Sequence, residues 1–278
     1  MSATITAAEV NKLRKITGAG LMDCKKALQA SDGNFEAAID YLRKKGQKVS
    51  AKRADREAKE GVVIALTSND QKKGYIVHVT AETDFVSKNQ EFIDFAKKLA
   101  EIARDKDLDS IETLKAMPFE DATVADKLNE MVAKIGEKID LAAVKRLEGE
   151  TVVPYIHMGY KIGVLVALNK AGSDEIVNIG KDVAMQVAAM NPVSVSEADV
   201  PEEVKKKEYE LGREQAIAEG KPEKIIDRIA EGKLKKFYKD NTLLHQQFVK
   251  DSSKTVDQVL RETDKDLTVK GFIRQSIG

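Results

Sequence analysis

The spacing of apolar residues divides the start of the chain into short amphipathic helices. Val10, Leu13 and Ile16 share a helical face, and Thr6 stands at a capping position with Glu9 placed to complete a capping box. Thr17-Gly18-Ala19-Gly20 breaks that helix. A second is predicted over Leu21 to Ala30, closed by the turn Ser31-Asp32-Gly33-Asn34. Phe35, Ala38, Ile39 and Leu42 place an apolar stripe on a third, predicted to stop at Gly46. Gln47 to Glu60 is charged, holds no apolar residue larger than Val49, and reads as a linker or a solvated helix.

The pattern then changes period. Gly61 to Leu66 and Gly74 to Val79 read as two strands joined by a loop that begins at Ser68-Asn69-Asp70. Lys88 to Ala103 is an amphipathic helix with Phe92, Phe95, Ala96, Leu99 and Ile102 on one side. A shorter helix starts near Asp109-Ser110 and ends before Pro118. Another runs from Thr123 to about Lys138, with Val124, Leu128, Met131, Val132 and Ile135 inward. The order recurs: strand Thr151 to Ile156, loop His157 to Tyr160, strand Ile162 to Leu168, helix Ser173 to Met190. Two strand–loop–strand–helix units about ninety residues apart suggest an internal structural duplication.

Residues 201–239 differ. Pro201 opens one helix, Gly220-Lys221-Pro222 interrupts, and a second helix runs from Glu223 to Tyr238. Val204, Leu211 and Ala218 recur every seven residues, opposite Ile226, Ala230, Leu234 and Phe237. The expectation is an antiparallel coiled coil protruding from the body, against the alternative of two helices packed in the core. The chain returns to a helix near Thr255 to Arg261 and ends in a strand, Leu267 to Ile273. The fold class expected is α+β.

Composition narrows the chemistry. The 278 residues hold 46 Lys and Arg against 46 Asp and Glu, which disfavours nucleic-acid binding or membrane binding through bulk charge. Residues 1–55 are locally basic, with eleven Lys and Arg against six Asp and Glu. One cysteine, Cys24, excludes an internal disulfide and fits a reducing, cytoplasmic setting; it is expected to pack as a small apolar residue beside Leu21 and Leu28. No apolar stretch reaches membrane-spanning length, and the N-terminus lacks a signal-peptide pattern. Three histidines, His78, His157 and His245, are poor stock for a metal site, though carboxylates alone can hold Mg²⁺; no cofactor is expected. Gly180-Lys181 lacks the remainder of a phosphate-binding loop, and Gly18-Ala19-Gly20 lacks the strand and third glycine of a dinucleotide fingerprint.

The segment Thr80 to Ser87 is unusual because Phe85 lies in a connection beside Asp84, where turns favour small polar residues. Two readings compete. Thr83 or Asp84 caps the next helix while Phe85 staples it to the core, or Phe85 is an aromatic presented to a partner beside a carboxylate.

The residues collectively resemble the bacterial elongation factor Ts family over essentially the whole length. The blocks are Leu13-Arg14 with Thr17 to Leu28, Thr83-Asp84-Phe85-Val86, Val132 to Glu137, His157 with Ile162 to Val166, and Phe272-Ile273-Arg274. The resemblance implies a guanine-nucleotide exchange factor for elongation factor Tu, without covalent chemistry. It implies a ubiquitin-associated-like helical module and linker (1–55) that docks on the partner's GTPase domain. It further implies two related core subdomains (56–150, and 151–200 with 240–265), an inserted coiled-coil hairpin (201–239) and a C-terminal module (266–278). Thr83, Asp84, Phe85 and Val86 carry over as an exchange wedge entering near the partner's magnesium site. Leu13, Arg14, Met22, Ile135, Gly136, His157 and Arg274 carry over as further contacts to the partner's GTPase domain and its neighbouring domain. Nucleic acid and membrane are not expected partners, and self-association is left open. The chain departs from some relatives in Ala81-Glu82 before Thr83, in Met158 between His157 and Gly159, and in its Gln-Ser-Ile-Gly ending.

Readings of other classes are an adaptor built on the helical module and a small-molecule enzyme using Glu82, Asp84 and His157. The first gives Phe85 no role, and the second lacks a nucleophile or cofactor motif.

Overall fold

The computed structural model describes residues 5–277. Helices α1 (Ala7–Thr17), α2 (Leu21–Ala30) and α3 (Phe35–Lys52) open the chain. Thr6 and Glu9 form the expected reciprocal cap, and Gly18 closes α1 at φ 66°, a left-handed turn that glycine adopts without penalty. Val10, Leu13, Cys24, Ala27, Leu28 and Ala38 make a core of their own, bordered by Phe35, Ile39 and Leu42.

Two features depart from the sequence reading. Ile16 is 58% exposed rather than buried with Val10 and Leu13. Each step of three residues swings the stripe back by about 60° around a helix of 3.6 residues per turn, which carries Ile16 off the core face. Helix α3 also runs six residues past Gly46. Gly46 is buried, and a Cβ built there would lie 3.0 Å from the Asn129 carbonyl oxygen. The glycine permits close approach of two helices and does not end one.

Next come β1 (Glu60–Thr67), β2 (Lys73–Ala81), the one-turn helix α4 (Asp84–Ser87), α5 (Gln90–Asp105) and α6 (Ile111–Lys115). A small hairpin of β3 (Pro118–Phe119) and β4 (Ala122–Thr123) leads into α7 (Val124–Ile135) and β5 (Asp140–Glu148). The sheet order is β1-β2-β5. Strand β5 has no forecast in the sequence: Leu, Ala, Lys, Arg and Glu dominate it, and these favour helix until pairing with β2 decides otherwise.

The remainder comprises β6 (Thr151–His157), β7 (Ile162–Leu168), α8 (Asp174–Met190), α9 (Glu202–Ala218) and α10 (Glu223–Asn241). It ends with β8 (Gln247–Phe248), β9 (Asp251–Thr255), α11 (Val256–Thr263) and β10 (Val269–Ser276). Strands β6 and β7 form an antiparallel hairpin from Thr151–Leu168 to His157–Ile162, with β10 on the far side of β7.

The chain forms two compact units. The first runs through Ile64 and resumes over Ile76–Lys145; the second comprises Ala65–Tyr75 and Arg146–Gln275. In the first, α3 packs against α7, and Phe92, Ala96, Leu99, Val124 and Val132 are buried. In the second, Val153, Val164, Val166 and Leu168 meet Val183, Val187, Val256 and Leu260 in one core.

Helices α9 and α10 pack on each other, with Ile226 and Ala230 in the seam as the spacing indicated, but on α9 the seven-residue positions do not form it. The buried residues of α9 are Gly212 and Ala216, those of α10 are Ile226 and Ala230, and Leu211 is 43% exposed. A Cβ at Gly212 would sit 3.1 Å from Ala230 Cα, so small side chains allow this close approach. Mixed helix and sheet content fits the α+β class. Among the described residues no helix is long and apolar enough to cross a membrane.

Candidate functional site

Strand β2 delivers the chain to Glu82 and Thr83, and α4 follows for a single turn. Its backbone closes through Ser87 N–H to Thr83 O (3.3 Å) and Lys88 N–H to Asp84 O (3.0 Å). Asn89 then caps α5, its side-chain oxygen accepting the Glu91 N–H at 2.8 Å. Val86 and Ser87 face inward and are buried. Phe85 faces the opposite way and is 84% exposed. The helix-staple reading of Phe85 is thereby overturned: the ring covers nothing. Leaving such a side chain in water forgoes about 2–3 kcal/mol of burial.

Asp84 accepts from Lys88 Nζ at 2.7 Å across one turn, and that bond holds the Lys88 ammonium above its ordinary pKa. The base of α4 is tied elsewhere. Thr83 donates its N–H to Glu137 Oε2 (3.0 Å) and its hydroxyl to Glu137 Oε1 (2.7 Å). Glu137 follows Gly136, which ends α7 in a left-handed turn at φ 81°. Glu82 accepts from Arg53 (2.8 Å), Arg56 (3.2 Å) and the Lys138 N–H (2.6 Å). Lys138 Nζ donates in turn to the carbonyls of Ala54 (2.6 Å) and Arg56 (3.0 Å). Burial alone would raise the Glu82 pKa, but the Lys138 amide and the two guanidinium groups outweigh it and hold the carboxyl below its ordinary range.

The residues named by sequence distribute as follows. Thr83, Asp84, Phe85 and Val86 form α4 and its cap, and Ile135 and Gly136 adjoin them through Glu137. Leu13 is fully buried in the N-terminal core, so it supports the surface from beneath. Arg14 is exposed, as is Met22 at 60%, together with Ile16 and Leu21. Leu21, Met22 and Lys25 line a groove of 350 Å³ with Ile5, Ala7 and Val10.

In the second unit, His157 ends β6, half-buried, with Nδ1 2.9 Å from the Tyr155 hydroxyl and the two rings stacked. Met158, Gly159 and Tyr160 in the following turn all have positive φ. Arg274 lies on β10 and donates to the Ala188 carbonyl at 3.3 Å.

In the sequence Glu137 stands out only as the end of the Val132–Glu137 block, and the two arginines belong to no motif. Gly136 ends α7 three residues before the end expected near Lys138, which places Glu137 in a loop, and Arg53 and Arg56 lie in the charged stretch that reads as a linker or solvated helix. Glu82, an acid–base candidate in the small-molecule-enzyme reading and part of the Ala81-Glu82 departure from relatives, has its carboxyl, despite burial, held below the ordinary range by the Lys138 amide and the two guanidinium groups. Among the described residues no cluster of three or more His, Cys, Asp or Glu has metal-binding geometry. Cys24 is buried, as expected of a packing residue.

Comparison with known proteins adds an independent line. Residues 82–278 match the family model described as elongation factor TS. The chain is 50% identical over 276 residues to elongation factor Ts of Cytophaga hutchinsonii, covering 99% of both chains. It is 49% identical over 278 residues to that of Christiangramia forsetii, covering 99% of this chain and all of the relative. The protein of that name from Chloroherpeton thalassium is 43% identical over 286 residues, with 99% of each chain covered.

Proposed function

Because the chain belongs to the elongation factor Ts family, we propose that it promotes release of guanine nucleotide from elongation factor Tu, with Phe85 and Asp84 as the wedge that drives release. The observation that carries the wedge reading is the 84% exposure of Phe85 on a helical turn whose base is fixed by Glu82 and Glu137.

An exchange factor must bind the nucleotide-free partner more tightly than the nucleotide-bound one. By linkage it weakens nucleotide by the ratio with which nucleotide weakens the factor. A wedge achieves this when its seat and the magnesium-ordered arrangement of the partner exclude each other. Phe85 supplies bulk and gains the burial it lacks in the free protein. Asp84 supplies a carboxylate that competes with ligands around the partner's metal and phosphates. Neither residue touches nucleotide, and no bond is made or broken.

Docking is a separate task, assigned to the exposed residues Arg14 and Met22 with Ile16 and Leu21 around the α1–α2 turn. Ile135 and Gly136 lie next to the wedge, and His157 and Arg274 contribute from the second unit. The test is release of fluorescent GDP from elongation factor Tu: the chain should accelerate it in a saturable manner. An unchanged release rate at high factor concentration rejects the function.

A further inference from the structure

Buried Val86 and Ser87 seat the inner face of α4, but one turn alone is a weak support for the orientation of Phe85. A helix of one turn bears the nucleation penalty without the propagation that offsets it. The Asp84–Lys88 ion pair across it is solvent-exposed and of the kind that contributes little. The direction in which the ring points therefore also depends on how the chain enters the turn. Glu82 occupies that place. Its carboxylate gathers three donors from two other parts of the first unit: Arg53 and Arg56 at the end of α3, and the Lys138 amide beyond α7. The side chain is 16% exposed, so these charge-assisted bonds are less screened than surface pairs. The neighbouring residue, Thr83, is gripped by Glu137 from the same loop that supplies Lys138.

We propose that Glu82 is the positioning residue of the exchange wedge: it clamps the exit of β2 to the end of α3 and to the loop after α7, so that Phe85 meets its partner already oriented. This inference rests on the wedge reading above. Without the clamp the ring must be ordered during binding, and that ordering opposes the step in which nucleotide is displaced. Arg53 closes the last turn of α3, so the clamp also ties the wedge to a helix of the N-terminal module.

The experiment is stopped-flow release of labelled GDP from elongation factor Tu, titrated with the full-length chain as wild type, Glu82→Ala, Glu82→Gln, Phe85→Ala and the Glu82→Ala/Phe85→Ala double variant. Titration separates the maximal rate from the half-saturating concentration. Glu82→Ala should lower the maximal rate about tenfold while leaving half-saturation nearly unchanged. Glu82→Gln, which still accepts from the Lys138 amide and keeps the side-chain volume, should recover part of the loss. The double variant should release no more slowly than Phe85→Ala alone, because Glu82 acts through that ring. Wild-type release by Glu82→Ala beside an impaired Phe85→Ala overturns the positioning role and leaves the wedge standing. Losses that multiply in the double variant overturn it too. Wild-type release by Phe85→Ala rejects the wedge, and the clamp with it. Amide exchange at Lys138 in each free variant serves as the folding check: protection should be lost there and over residues 83–88 in Glu82→Ala, with α5 and α7 still protected. Loss of protection throughout the unit assigns Glu82 to general stability instead.

Discussion

At the scale of single residues, exposure separates function from packing. Phe85 is visible in sequence as an aromatic in the wrong kind of connection, but two readings fit it, and its exposure in the fold removes the staple. The partners of Glu82 were not legible, because they come from stretches 26 to 56 residues away in the chain. His78 shows the opposite case. It sits on β2, buried, and burial together with the Lys145 charge lowers its pKa from 6.5 to about 4. Above pH 6.5 the folded and unfolded chains both hold it neutral. As pH falls toward 4, the unfolded chain binds a proton that the folded chain refuses, so stability drops, by up to about 3 kcal/mol. Below 4 this contribution flattens. Urea unfolding at pH 7.5 and 5 should show the decline, and His78→Gln should lessen it. An equal decline in the variant assigns the pH dependence to other groups.

At the scale of elements, periodicity identified most helices, and local chemistry located their ends. Thr6, Ser110, Thr123, Ser173 and Thr255 all cap as their types suggest. The failures share a cause. Gly46 reads as a stop, and the seven-residue spacing on α9 passes over Gly212, yet each glycine permits two helices to approach, a property of the pair that one helix cannot advertise. Strand β5 is likewise decided by its neighbour.

The α9–α10 hairpin carries an element-scale prediction. The bonds joining the chain on either side of it, Val193 N–H to Asn241 O (2.8 Å) and Leu243 N–H to Ser194 O (2.9 Å), lie outside residues 204–237. Replacing 204–237 by a short Gly/Ser linker should therefore leave the rest folded. Differential scanning calorimetry should still show a cooperative transition; its loss means that the hairpin belongs to the core.

At the scale of the whole molecule, the proposed docking and displacement fall to different surfaces. Charge balances over the chain, while the first 55 residues carry a surplus of five positive charges and exposed apolar residues beside their first turn. Met22→Ser should accordingly raise the half-saturating concentration several-fold, in line with loss of an exposed contact residue, and leave the maximal release rate intact. Added salt should slow association through the same surface. A Met22→Ser variant with normal half-saturation removes that residue from the docking surface.

Displacement is the central claim, and it is tested most directly by Phe85→Ala at saturating concentration. An exposed ring leaves no cavity when truncated, so urea unfolding of the variant should match wild type within about 0.5 kcal/mol. Stopped-flow release of labelled GDP from elongation factor Tu should then show a lower maximal rate with magnesium present. The gap from wild type should narrow when magnesium is removed, because part of the work of the wedge is already done. A folded Phe85→Ala protein that releases GDP at the full maximal rate in magnesium would contradict the account.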